Sequence, residues 1–314
     1  MKLSEIVDYL NLLDSLSVHE EAHESTRRLA AVLHVVSNHA VQVNSCSQDL
    51  EQCFESVKSS LDDFESVLSQ IKQRLTQLWH EQEPSYLAES YRLFDQEMRH
   101  DSPQYILTRR LNIATESRAK LEYRLKNLTD WRLPGMIIGP RTEDFIEHMV
   151  PMDPLYVVDT HQDLLAPAVR KFHPDYQRRL RQYVVNDYVP APILKEMPDN
   201  QFGVIFAYNY FNYRPIEVIR RYVEEIASKL RPGGSFIMTY NNCDRAHGVG
   251  LSERSWMCYT PQRLIIGAAS NAGLELVSAV DEPGDLSWIE FVRPGEIETL
   301  RGGQSLAKII AIPQ

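Results

Sequence analysis

Glycine is missing from the first 134 residues: all 13 glycines fall from Gly135 onward, and proline before that point occurs only at Pro84, Pro103 and Pro134. So few turn-permitting and helix-breaking residues exclude a sheet-rich domain there and point to long helices. Cysteine is also scarce. Cys46, Cys53, Cys243 and Cys258 form no Cys-x-x-Cys pair, so no disulfide framework is indicated and a reducing, cytoplasmic setting is expected. No run approaches the ~20 uninterrupted apolar residues of a membrane span, and the segment from Met1 to Glu5 opens no signal-peptide apolar core. No membrane association is expected. With 33 basic against 43 acidic residues the net charge is −10, which does not support nucleic-acid binding. No Gly-x-Gly-x-x-Gly follows a strand-like run, which sets aside a nicotinamide dehydrogenase.

What is present divides at about residue 132. In the first part, apolar residues at Leu50, Phe54, Val57, Leu61, Phe64, Leu68, Ile71, Leu75 and Leu78 alternate steps of four and three, the rhythm of a coiled-coil seam. Leu29, Val32, Val36, His39, Val43 and Cys46 keep a similar spacing upstream. Such a seam must be covered, by another chain or by the second helical run at Leu107, Leu111, Leu121, Leu125 and Leu128 that follows breaks at Pro84 and Pro103. Self-association or docking of partner helices through residues 29–78 is the expectation. His19-Glu-Glu-Ala-His23 matches a zinc-peptidase pattern. No third ligand follows at a suitable spacing, so the segment reads as a polar helix face and no metal is expected.

From residue 133 to 314 short apolar runs alternate with helical ones. Strands are expected at Met136–Ile138, Leu155–Asp159, Gln182–Asp187, Phe202–Tyr208, Ser235–Tyr240, Gly273–Val280 and Leu286–Val292, with a further run at Leu306–Ile312. Helices are expected at Leu164–Phe172, Pro215–Leu230 and Pro261–Ala272. Arg231-Pro-Gly-Gly234 reads as the turn from helix into strand. The fold class is therefore α/β: a Rossmann-like, seven-stranded, mostly parallel sheet with an antiparallel last strand, preceded by a helical coiled-coil region. Ligands of such sheets bind beyond the carboxyl ends of the strands, where the winding reverses. Asp159, Asn186, Asp187, Asn209, Asn212, Asn241 and Asn242 all fall there.

Taken in order, Ile138-Gly-Pro140, Val157-Val-Asp159, Asn186-Asp187, Pro198-Asp-Asn-Gln-Phe-Gly-Val-Ile205, Leu230-Arg-Pro-Gly-Gly234 and the antiparallel close resemble the class I S-adenosylmethionine-dependent methyltransferases over residues 133–314. The resemblance implies S-adenosylmethionine as cofactor. Asp159 would accept hydrogen bonds from the ribose hydroxyls and Asp187 from the adenine amino group, with Asn186 or Tyr188 beside the ring. Gly139, Arg141 and Asn209 complete the implied cofactor set. The first loop departs from the family: where Gly-Pro-Gly-Thr-Gly is usual, this chain has Gly139-Pro-Arg-Thr-Glu143. Arg141 and Glu143 either fill the pocket, or Arg141 pairs with a carboxylate.

Methyl transfer needs alignment and exclusion of water more than covalent machinery, so no catalytic residue is identified. Tyr208, Tyr210 and Asn212 form either a substrate wall or an aromatic strand end packed on a helix. Asn241 and His247 lie in a polar, glycine-punctuated loop that suits substrate binding. The leading reading is a methyltransferase acting on an unidentified acceptor. The alternative is a catalytically degenerate member of the fold serving as a structural or adaptor protein, for example in a viral particle, through its N-terminal helices.

Overall fold

A computed structural model describes residues 2–17, 46–99, 115–140, 145–254, 257–281 and 287–296. The chain forms two compact units, Met1–Pro84 and Ser85–Gln314. The zinc-like motif at His19 and His23, the seam from Leu29 to Val43, Leu107, Leu111, Arg141, Thr142, Glu143 and the run Leu306–Ile312 lie outside the described residues. None of the described helices is long and apolar enough to cross a membrane, and the described residues hold no cluster of His, Cys, Asp and Glu suited to a metal.

In the first unit, helix α1 (Leu3–Ser17) buries Leu3, Ile6, Val7 and Leu10, a stripe at helical spacing. Asp14 of α1 pairs with Lys72 of helix α2 (Cys46–Arg99). On the expected seam Leu75 is buried, at 8% exposure, while Ile71 is 44% exposed. The break expected at Pro84 does not occur: α2 runs through it. One proline costs a helix interior about 3 kcal/mol. The turns that follow offset this by burying Ser90 and Phe94 in the second unit.

The second unit is built on seven strands among the described residues, in the order β3-β2-β1-β4-β5-β7-β6. They are β1 (Gly135–Ile138), β2 (Leu155–Asp159), β3 (Leu180–Val184), β4 (Phe202–Ala207), β5 (Leu230–Tyr240), β6 (Glu275–Val280) and β7 (Ser287–Val292). The first five pair parallel, and β7 runs antiparallel between β5 and β6. The sheet is mostly parallel and closed by antiparallel strands.

Alternate residues of the central strands feed two cores. Ile205, Ala207, Phe236, Met238, Ile289 and Phe291 face one, beneath helices α7 (Ile216–Lys229) and α9 (Gln262–Asn271) and Phe94 of α2. Val204, Phe206, Ile237 and Trp288 face the other, beneath helices α3 (Thr115–Leu128), α4 (Ile146–Met149) and α5 (Gln162–Arg170). Burial on both sides explains why β1, β2 and β4 carry no polar alternation. Leu121 and Leu125 of α3 join the second core, so this helix covers the sheet. Its Arg124 reaches Glu290 of β7 with two hydrogen bonds of 2.7 Å.

One further expectation is corrected. Arg231-Pro-Gly-Gly234 is not a turn between helix and strand: α7 ends at Lys229 and Leu230 already pairs with Phe202 of β4. The next pairs join Val204 to Ser235, so the proline and glycines form a bulge inside β5. Gly233 adopts φ +75°, its N–H bonds to the Arg293 carbonyl, and a Cβ at Gly234 would stand 2.6 Å from the Phe202 carbonyl oxygen. Close backbone approach, not chain reversal, is what demands glycine here. Among the described residues β6 pairs antiparallel with β7 and follows Gly273, whose φ of +79° terminates α9.

Glu290 is 1% exposed and Arg124 38%. Arg124→Ala leaves the carboxylate buried without its cation, and because the arginine is partly solvated we expect a loss of about 1–3 kcal/mol. Urea denaturation checks this, with Glu290→Gln expected to cost less.

Candidate functional site

The carboxyl ends of β1 to β5 form one edge, and the winding reverses between β1 and β4, the position where sheets of this kind bind ligands. Asp159 ends β2 and is fully buried; its Oδ1 accepts from the Thr160 N–H at 2.7 Å and the Thr160 hydroxyl at 3.2 Å. Gly139 follows β1 at φ +68°. The space beside it belongs to Tyr210, since a Cβ there would lie 2.4 Å from the Tyr210 ring.

Beyond β3 the chain is held down by α7. Arg221 donates to the carbonyls of Asp187, Val189 and Ala191 at 2.6–3.1 Å, and Glu225 accepts from the N–H groups of Ile193 and Leu194. This traction explains why β3 ends at Val184, three residues short of the strand expected. It also delivers Asp187 into the interior, at 0% exposure. There its Oδ2 accepts from Arg214 Nε at 2.5 Å, from the Tyr210 hydroxyl at 2.9 Å and from the Tyr222 hydroxyl at 3.4 Å. The Arg214 guanidinium lies over the Tyr210 ring, 4.4 Å from its centroid, and over the Phe94 ring, 5.4 Å from its centroid. Burial opposes charge on Arg214, but the Asp187 carboxylate outweighs it and holds the guanidinium charged, well above its ordinary range. Desolvation drives the Tyr210 and Tyr222 hydroxyls upward, so both stay protonated donors. Among the described residues, Asp187 Oδ1 and Arg214 Nη2 have no hydrogen-bond partner.

The last turns of α2 lie along the same edge. Ser90 Oγ accepts from the Tyr259 N–H at 2.6 Å, Tyr86 donates to Glu253 at 3.0 Å, and Phe94 packs at a tilt against Tyr188, whose hydroxyl donates to Asp95. Loops following β3, β4 and β5 thus all meet this one helix.

The remaining expected residues disperse. Asn186 is exposed and turns back to accept from the Tyr188 N–H. Asn209 sits at φ +52°, a conformation asparagine tolerates better than most residues. Its N–H donates to Thr239 and its side-chain oxygen accepts from Asn212. Tyr208 points to the opposite face of the sheet from Tyr210, packing 4.5 Å from Phe145. Asn241 is buried and donates to the Gly248 and Cys258 carbonyls, tying down the loop after β5. His247 is exposed on helix α8 (Ala246–Glu253).

Sequence reasoning missed Arg214, Tyr222 and Phe94. A single signal was available: Arg214 is an arginine inside an aromatic run just before the proline that opens α7. Its partner Asp187 stands 27 positions away, and no local pattern joins the two.

No family model matches the chain, and no curated protein sequence matches it. Among solved structures it is similar to N-methyltransferase NodS from Bradyrhizobium japonicum WM9 bound to S-adenosyl-L-homocysteine, at 16% identity and a TM-score of 0.46, covering 66% of this chain and 99% of that one. It is also similar to geranyl diphosphate C-methyltransferase from Streptomyces coelicolor A3(2), at 10% identity and 0.45, over 57% and 77%. A methyltransferase from Aquifex aeolicus gives 12% and 0.42, over 64% and 98%. The fold itself is defined by strand order and direction, independently of these likenesses.

Cys243 is fully buried, and burial pushes its thiol up to about 12, so it is no nucleophile near neutral pH. Peptide mapping after iodoacetamide at pH 8 is expected to find Cys243 unmodified in the native protein and modified in urea.

Proposed function

We propose that the α/β unit is a methyltransferase-like module that uses S-adenosylmethionine to methylate an acceptor whose class the site leaves undefined. The observation that carries this reading is Asp159: a carboxylate at the end of β2, on the ligand-binding edge and next to the reversal between β1 and β4.

The residues fit the cofactor in part. Asp159 suits the two ribose hydroxyls, since a carboxylate offers acceptors to paired donors. Asp187 does not suit adenine while Arg214, Tyr210 and Tyr222 share its Oδ2, and Tyr210 stands against the glycine loop that would approach the methionine end. When bound, the cofactor's sulfonium supplies the transferable methyl group. The chain's own contribution is to hold the ribose through Asp159 and to keep water out with the aromatic residues after β4.

A second reading, a degenerate member of the fold acting as an adaptor through its helices, is favoured by one observation: the carboxylate expected to read adenine is spent on an internal ion pair. Self-association through residues 29–78 belongs to that proposal.

Calorimetric titration with S-adenosyl-L-homocysteine separates the two. The enzymatic reading expects binding that Asp159→Asn weakens by about tenfold or more, the scale of a hydrogen bond to a charged group. No heat at millimolar ligand favours the adaptor.

A further inference from the structure

We infer that Arg214 is a latch on the nucleoside end of the site, closed in this structure, and that Phe94 at the end of α2 sets how firmly it is shut. This rests on the cofactor reading above and adds a gate to it.

The geometry is that of a plug. Arg214 occupies the carboxylate that the sheet presents beyond β3, and its planar group lies over two aromatic rings supplied by different parts of the chain, Tyr210 from the loop after β4 and Phe94 from α2. The pairing is incomplete. Only Nε meets Asp187 Oδ2, whereas an arginine and a carboxylate in a two-pronged arrangement would also join Nη2 to Oδ1. Both of those atoms are buried and without hydrogen-bond partners among the described residues. A buried ion pair that leaves one donor and one acceptor unsatisfied is held less tightly than a complete one. It is a closed state that a ligand bringing its own donors and acceptors can replace.

The neighbouring groups show which part moves. Asp187 is fixed through its backbone by Arg221, and its loop by Glu225. Tyr222 is part of helix α7. Arg214 lies on the short connection between a one-turn 3-10 helix (Phe211–Tyr213) and Pro215, with extended backbone angles. Its side chain can swing without disturbing a strand or helix. The guanidinium also meets the Phe94 ring, and in this reading that aromatic contact from α2 is the stop that keeps the latch in place. A ligand that binds only the open form has its apparent affinity reduced by the fraction of molecules that are open.

Two variants test this. Phe94→Ala removes the stop and leaves the ion pair intact. Arg214→Lys keeps a positive charge near Asp187 but loses the planar group that stacks and the fixed Nε contact. Far-UV circular dichroism confirms that each has folded. Calorimetry with S-adenosyl-L-homocysteine is expected to show both binding about tenfold tighter than the parent protein, the loss of one aromatic–guanidinium contact appearing as an increase in the open fraction. Hydrogen exchange of peptides covering residues 209–214 is expected to rise several-fold in both without ligand. If the parent binds and neither variant binds more tightly, the latch is overturned while the cofactor reading stands. If neither the parent nor either variant binds, the cofactor reading itself falls and the latch with it.

Discussion

A carboxylate removed from water must find a cation and hydrogen-bond donors, or give up its charge. At the ligand edge of this sheet that requirement governs everything around Asp187. Satisfying it draws Arg214 inward, turns the Tyr210 and Tyr222 hydroxyls toward one oxygen, and places two aromatic rings against the guanidinium. The chain beyond β3 then has to stay where Asp187 needs it, which is what Arg221 and Glu225 of α7 achieve. The end of α2 has to stay where Phe94 is needed, and Ser90 and Tyr86 secure it. Asp187 is thereby the centre of a structural cluster.

Much of the scaffold was legible because it is written locally. Strands β1, β2 and β4 are short β-branched or aromatic runs, and buried strands need no alternation, so their limits could be read within a residue or two. Helix α7 announced itself by Pro215 and by Ile216, Ile219, Tyr222, Val223 and Ile226 at helical spacing. Local writing also misled. Pro84 looks like a stop until burial of the turns after it is counted, and two glycines after a proline look like a turn until strand β7 is seen pairing beside them.

The site was legible only in halves. Acids after strands mark the edge, and the rule picks out Asp159 and Asp187, both buried there. What each acid does depends on groups brought from elsewhere, Arg214 from the loop after β4 and Phe94 from another helix altogether. Pairing of that kind is a property of tertiary structure and leaves no periodic trace. The aromatic run from Tyr208 to Tyr213 shows the same limit: its composition could not say that Tyr208 goes to one core and Tyr210 and Phe211 to the other.

The bond between Arg124 and Glu290 has one more meaning. Apolar helix–sheet contacts are tolerant: leucines at positions such as Leu121 and Leu125 fit several offsets along a greasy surface with small differences in energy. A buried carboxylate on β7 has one acceptable partner position. Sliding α3 by a turn would strand Glu290 and expose nothing better, so the ion pair works as a ruler that fixes where along the sheet the helix comes to rest.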